Sequence, residues 1–338
     1  MSTPTLKELP APALDKVGWP WTVETPEQSK RLPDGAEWPS ISIITPSYNQ
    51  CEFLEQTIRS VLLQGYPNLE YIVIDGGSTD DSVAIIKKYE RWITRWVSEK
   101  DRGQSHALNK GLQCAIGSLF GWINSDDYYL PGSLAALAEI AHKTPDCVCW
   151  AGALEIVDRE GRHSTLMPAR VGAPRDFGNW FLDSHLGQQS CLFHAEKMRQ
   201  VGGLNESLYY TMDVELFMKL AAVGSFETID RTCGCFRVYQ GNKTSEGYEG
   251  ILLEMVVNNF KHGFRDIALQ FLKRHIAHEK GLAVDNLADN QRLALIDRIP
   301  FRVVLWHFVQ RMVGAARRRL PVGSLKTKCS AIKPSRSS

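Results

Sequence analysis

The sequence predicts an α/β protein whose first half holds a buried, mostly parallel sheet between helices, followed by a less regular half and a helical C-terminal extension. Two observations carry this. Short apolar, β-branched runs alternate with stretches whose apolar residues recur at helical spacing, the pattern of a parallel sheet covered on both faces. Each run is also followed at once by small polar or acidic residues, and beyond the carboxyl ends of the strands is where such sheets bind ligands.

In order along the chain, residues 1–40 carry seven prolines and no sustained period, which reads as an irregular lead-in, and Trp19, Trp21 and Trp38 are expected to pack it on the domain. Residues 41–45 form a strand, and residues 52–64 a helix with Phe53, Ile58, Val61 and Leu62 on one face. A second strand covers 69–74, and Asp80 caps a helix running through Val83, Ile86 and Tyr89. A third strand at 93–97, a helix at 105–116 and a strand at 119–124 complete the regular series. Beyond Trp150 the alternation decays into a hairpin at 155–165 that turns at Glu160 and Gly161. The expected domains are the lead-in 1–40, a catalytic domain 41–245 (nucleotide half 41–127, acceptor half 128–245) and a C-terminal region 246–338.

Composition narrows the class. A chain of 338 residues, 43% hydrophobic and 23% charged, buries one large core or two modest ones and is neither disordered nor fibrous. The N-terminal thirty residues lack the basic start and apolar run of a signal peptide, and eight cysteines at irregular spacing need no oxidising compartment. A cytoplasmic location is expected, which makes the sequon Asn242-Lys243-Thr244 a coincidence. The pairs Cys147/Cys149 and Cys233/Cys235 are narrower than usual zinc pairs and read as small buried side chains in strands. Charge is uneven: residues 290–338 hold eleven Arg and Lys against Asp297 alone, a balance of +10, so the first 289 residues carry −9 of the net +1. Pro300 suits a helix start, and Phe301, Val304, Leu305, Phe308, Met312 and Ala315 share a face. Residues 300–319 are therefore expected to meet either an anionic membrane surface, placing the protein on the inner face of the cell membrane, or the core. No nucleic-acid partner is expected.

The candidate chemistry lies at the strand ends. Asp126 and Asp127 follow an apolar strand, and paired carboxylates are hard ligands suited to Mg²⁺ or Mn²⁺ bridging a diphosphate. Asp75 ends the neighbouring strand, before Gly76 and Gly77, which permit a turn with positive φ. Taken together, residues 43–48, the string 75–80 (DGGSTD), the string 101–111 (DRGQSHALNKG) and Ser125-Asp126-Asp127 resemble the ordered motifs of the family 2 inverting glycosyltransferases.

That resemblance covers about residues 41–245 and implies a GT-A fold, a nucleoside-diphosphate-sugar donor, a saccharide or lipid-linked acceptor, and a role in cell-surface polysaccharide or glycolipid synthesis. It implies that Pro46 and Tyr48 line the nucleoside pocket, Asp75 bonds the base, Asp126 contacts ribose and Asp127 ligates the metal, with Asp101, Gln104 and Lys110 as further pocket members. Residues 204–213 resemble the segment that carries the catalytic base, here Asp213, whose other reading is the N-cap of the helix that follows. Arg237 is expected to neutralise phosphate charge. Two departures stand out: Leu108 replaces an Arg common in relatives, and Tyr239 replaces the His of their Arg-x-His, a poorer metal ligand. The competing readings are a catalytically impaired sugar-nucleotide-binding protein and a sugar nucleotidyltransferase; the second would want a glycine and a positive charge in residues 47–53, which have neither.

Overall fold

The computed structural model describes residues 4–180 and 184–279, so the basic segment 300–319 lies outside the described residues. The chain divides into a unit of residues 1–268, which contains every strand and the cavity described below, and a unit of residues 269–338.

The elements follow the expected alternation: β1 (Ile41–Ser47), α1 (Cys51–Leu62), β2 (Leu69–Asp75), α2 (Ser82–Tyr89), β3 (Arg95–Ser98), α3 (Gln104–Cys114) and β4 (Leu119–Trp122). Then come β5 (Tyr128–Tyr129), α4 (Ser133–Lys143), β6 (Cys149–Val157), β7 (His163–Met167), α5 (Pro174–Gly178), β8 (Cys191–His194), α6 (Ala195–Gln200), α7 (Met212–Ala221), β9 (Phe226–Arg237), α8 (Lys243–Glu246) and α9 (Tyr248–Lys261). A further helix, α10, spans Arg265–Glu279. The sheet runs β3-β2-β1-β4-β8-β6-β9-β5, with β7 also paired to β6. Strands β1 to β4 are all parallel, and β8 joins β4 antiparallel.

β1 lies at the centre of the parallel part and is buried along its whole length, as a β-branched run without alternation requires. Its flanking helix α1 turns Phe53, Leu54, Ile58, Val61 and Leu62 inward. The N-cap residue of α2 is Asp81, one position after the expected Asp80, and Asp80 has a different part. Its two oxygens accept from the backbone N–H of Ser82 and of Cys51, each at 3.0 Å, so one carboxylate pins the starts of α2 and α1. Burial pushes its pKa up, but these bonds outweigh burial and hold it at about 2.

The lead-in packs as the tryptophans foretell. Leu9, Leu32 and Trp38 join the core, and Trp19 donates to the Tyr129 carbonyl at 2.7 Å. Its main anchor is fully buried Arg59 of α1, whose guanidinium bonds the carbonyls of Pro10, Pro20 and Trp21 at 2.9, 3.0 and 3.1 Å and the Tyr89 hydroxyl at 3.1 Å. In the later part of the chain a second core gathers Phe177, Phe193, Phe217 and Phe226. The hairpin forms between β6 and β7, turning through Gly161 at φ +82°.

Candidate active site

The ends of all four parallel strands open on one cavity of about 940 Å³. β1 contributes Pro46, Ser47 and the exposed Tyr48; the turn after β2 contributes Gly76 and Gly77; the loop after β3 contributes Lys100, Asp101 and Gly103; and the turn after β4 contributes Asn124, Ser125 and Asp126. Two glycines shape this wall. Gly77 has φ +83°, and a Cβ on Gly76 would sit 2.7 Å from the Asp101 carboxylate. The later part of the chain closes the cavity with Gln188, Gln189, Tyr209, Met212, Asp213 and Lys243.

Six expected site residues therefore line one space: Pro46, Tyr48, Asp101, Gln104, Asp126 and Asp213. Four do not. Asp75 is fully buried and holds the glycine turn instead of facing a base: its carboxylate accepts from the backbone N–H of Gly77 and Ser78 at 3.1 and 2.9 Å, from the Ser98 hydroxyl at 2.6 Å, and from the Ser78 hydroxyl. Lys110 points to Glu99, 2.5 Å away, outside the cavity. Arg237 is 2% exposed and its guanidinium serves the chain itself, bonding the carbonyls of Asp126, Asp158 and Arg159 and the Gln56 side chain, 4.7 Å over the Phe53 ring. With its donors so committed, it is not a phosphate ligand in this arrangement.

The fourth is Asp127, 1% exposed behind Asp126. One of its oxygens accepts from Asn124 and Gln189 at 3.0 and 2.8 Å, the other from the backbone N–H of Arg237 at 2.9 Å. Asp126, on the wall, accepts a 3.2 Å hydrogen bond from the Tyr239 hydroxyl, so the residue standing where relatives carry histidine touches the aspartate pair. Burial raises the pKa of both carboxyls; for Asp127 the neighbouring charge of Asp126 adds to it. Two adjacent carboxylates, one on the cavity wall, are a donor set that fits a hard divalent cation. Among the described residues no group of three or more His, Cys, Asp or Glu side chains could hold one, so phosphate oxygens and water would complete the coordination.

On the opposite side α7 begins at Met212 with Thr211 as N-cap residue, two positions earlier than the expected cap at Asp213. Asp213 sits in the first turn, one oxygen accepting from the Val214 N–H at 2.9 Å. Burial raises its pKa, and the Lys243 ammonium works against that rise. The loop before it is fixed by Glu254 of α9, whose carboxylate collects the N–H groups of Tyr209, Tyr210 and Thr211 at 2.7, 2.8 and 2.9 Å. Glu215, two residues on, faces Lys219 at 2.9 Å, away from the cavity, and Glu206 pairs with Arg102 at 2.6 Å.

Lys243 is the residue the sequence reading missed. It follows the last strand, where only the short segment Asn242-Lys243-Thr244 after Arg237 could have drawn attention to it. Its ammonium donates to Gln104 Oε1 at 2.8 Å and stands 4.4 Å over the Tyr209 ring, with no ion pair among the described residues. Burial lowers its pKa, while Asp213 is the strongest influence raising it.

Comparison with known proteins agrees with this geometry. Residues 42–199 match the family model described as Glycosyl transferase family 2. The chain is 27% identical to the chondroitin synthase of Escherichia coli over 209 residues, covering 61% of this chain and 30% of that protein. It is 30% identical to an uncharacterized glycosyltransferase of Rickettsia typhi over 197 residues, covering 55% of this chain and 60% of the relative. The chain thus spans less than two thirds of the length of either relative. The crystal structure of S. aureus TarS 1-349 in complex with UDP-GlcNAc superposes with a TM-score of 0.52 at 19% identity, over 75% of this chain and 77% of that one, and shares the fold.

Proposed function

The chain belongs to glycosyl transferase family 2 over residues 42–199, and from that premise we propose that it moves a sugar from a nucleoside-diphosphate sugar to a hydroxyl acceptor in one inverting displacement. The observation that carries this reading is that Asp126 and Asp213, acids from the two halves of the chain, line one cavity. The wall of Pro46, Tyr48 and Asp101 takes the nucleoside. Asp213 takes the proton from the acceptor hydroxyl as its oxygen bonds the anomeric carbon, and the bond from that carbon to the diphosphate oxygen breaks, the electron pair leaving with the diphosphate. Lys243 meets the charge that develops on it, the part once expected of Arg237. Asp126 and Asp127 would hold a Mn²⁺ or Mg²⁺ ion, which when bound supplies Lewis-acid stabilisation of the same leaving group.

The acceptor is a saccharide or a lipid-linked one, in keeping with cell-surface polysaccharide or glycolipid synthesis at the inner face of the membrane. The second reading, a sugar-nucleotide-binding protein with impaired turnover, is favoured by one observation, the Tyr239 hydroxyl on Asp126. The test is release of nucleoside diphosphate from a panel of UDP- and GDP-sugars with Mn²⁺ or Mg²⁺ and candidate acceptors. Release is expected, and both Asp126→Asn and a chelator are expected to reduce it by about 10² or more. Binding without release selects the impaired protein; formation of nucleoside triphosphate and sugar 1-phosphate when pyrophosphate is added to the nucleotide sugar would mark a nucleotidyltransferase.

A further inference from the structure

Asp213 stands in the first turn of α7, just after a loop that α9 grips from outside. Gly247, the N-cap residue of α9, and Gly250, Glu254 and Asn258 within it recur at spacings of three and four, so they form one stripe along the helix. All four meet residues 209–211. A Cβ on Gly247 or Gly250 would collide with the Tyr210 ring, so the bare start of α9 is what lets that ring lie against it. Glu254 takes the N–H groups of Tyr209, Tyr210 and Thr211, and the Asn258 amide donates to the Thr211 hydroxyl at 2.9 Å.

This grip stands in for a cap. A helix leaves its first N–H groups without partners of its own, and the N-cap side chain commonly takes one. Thr211 is the N-cap residue of α7, yet its hydroxyl makes no such bond and turns to α9 instead, donating to Glu254 at 3.2 Å and accepting from Asn258. One carboxylate accepting three successive N–H groups fixes the backbone that leads into the helix, and its charge is favourable at a helix N-terminus.

The helix does not depend on that grip to exist. Leu216, Phe217 and Leu220 are fully buried and hold the body of α7 in the core, so what Glu254 adds is the placement of the first turn. Two groups of the cavity are indexed to it: Asp213, two residues past Thr211, and Tyr209, whose ring lies under the Lys243 ammonium. The Glu254 charge reaches the carboxyl as well: burial chiefly raises the Asp213 pKa, and Glu254 pushes the same way. α9 lies beyond the residues 42–199 that match the family.

Resting on the reading that Asp213 is the general base, we propose that Glu254 is a positioning residue, holding the 209–211 loop so that the Asp213 carboxylate meets the acceptor hydroxyl. Misplacing a catalytic group by about 1 Å can cost about 10²-fold in rate.

The test uses the full chain. Glu254→Gln keeps the shape and puts an NH₂ donor where an oxygen accepted, so the three N–H groups are no longer all matched. The probes are UDP-glucose, UDP-galactose, UDP-N-acetylglucosamine, UDP-N-acetylgalactosamine and GDP-mannose, with Mn²⁺ and water as acceptor, and the readout is release of nucleoside diphosphate. Glu254→Gln is expected to lower kcat about tenfold or more with KM for the nucleotide sugar within about twofold. In the Asp213→Asn background it is expected to cost less than about twofold, because a residue that acts through another loses its effect when that one is gone. Thr211→Val removes only the hydroxyl link and is expected to lower kcat about threefold with the same dependence on Asp213; it carries the test if Glu254→Gln does not fold. An equal loss in both backgrounds, or a KM that rises in step with the loss, overturns the role of Glu254 alone. Near wild-type release by Asp213→Asn, or no release by the wild type from any of these sugars, overturns the transfer reading and the role of Glu254 with it.

Discussion

Asp213 carries the sharpest residue-level expectation. Its carboxyl lies on the cavity wall with a pKa raised by burial, which brings a general base closer to the pH at which it works. Asp213→Asn keeps the shape of the first turn and removes the basic lone pair, so transfer is expected to fall by about 10² or more while nucleotide binding is retained. Glu215→Gln, whose carboxylate faces Lys219, is expected to do much less. Because the base must be ionised, wild-type rate is expected to rise with pH along an acid limb lying above the ordinary Asp value of about 3.9. A pH–rate profile flat down to that value, or near wild-type transfer by Asp213→Asn, would remove Asp213 from the role. At this scale the sequence located residues well and orientations poorly. Strand ends could be read from apolar runs, which put Asp75, Asp126 and Asp101 on one edge. Whether a carboxylate faces the cavity or the turn behind it depends on bonds such as those from Gly77, Ser78 and Ser98 to Asp75, which no periodicity announces.

Among elements, the lead-in and α1 depend on each other through Arg59. Arg59→Met keeps most of the volume and strips the donors from three carbonyls of the lead-in, that of Pro20 buried and the other two partly so, and unfolding free energy is expected to drop by about 3 kcal/mol in chemical denaturation. Cleavage of the lead-in by protease is expected to become faster. A loss under about 1 kcal/mol would show the segment to be held by its apolar contacts alone. The helices and parallel strands of the first half were legible to within a few residues because each announces itself through local spacing. β5 was not, and of β9 only the Cys233/Cys235 pair was: the strand mixes Glu227, Asp230 and Arg231 with those cysteines, and it reaches its full length by pairing with β6, some eighty positions earlier. Asp213 itself was placed one residue off the helix start because Thr211, also a good capping type, precedes it.

For the whole molecule the dominant asymmetry is electrostatic, with −9 on the first 289 residues and +10 after them. A separate basic segment suits an anionic surface. Truncation after Asp297 is expected to move a membrane-associated fraction into solution, and wild-type protein that fails to sediment with phosphatidylserine-containing vesicles would end the idea. A different asymmetry lies in time. Asp127 and the Arg237 backbone that binds it are separated by 110 residues, and Arg237 also bonds the Asp126 carbonyl. A ribosome therefore delivers the nucleotide half well before the strand that fastens its acids. Until β9 docks, the nascent sheet holds two neighbouring carboxylates without that fastening, so their final arrangement waits on chain made more than a hundred residues later.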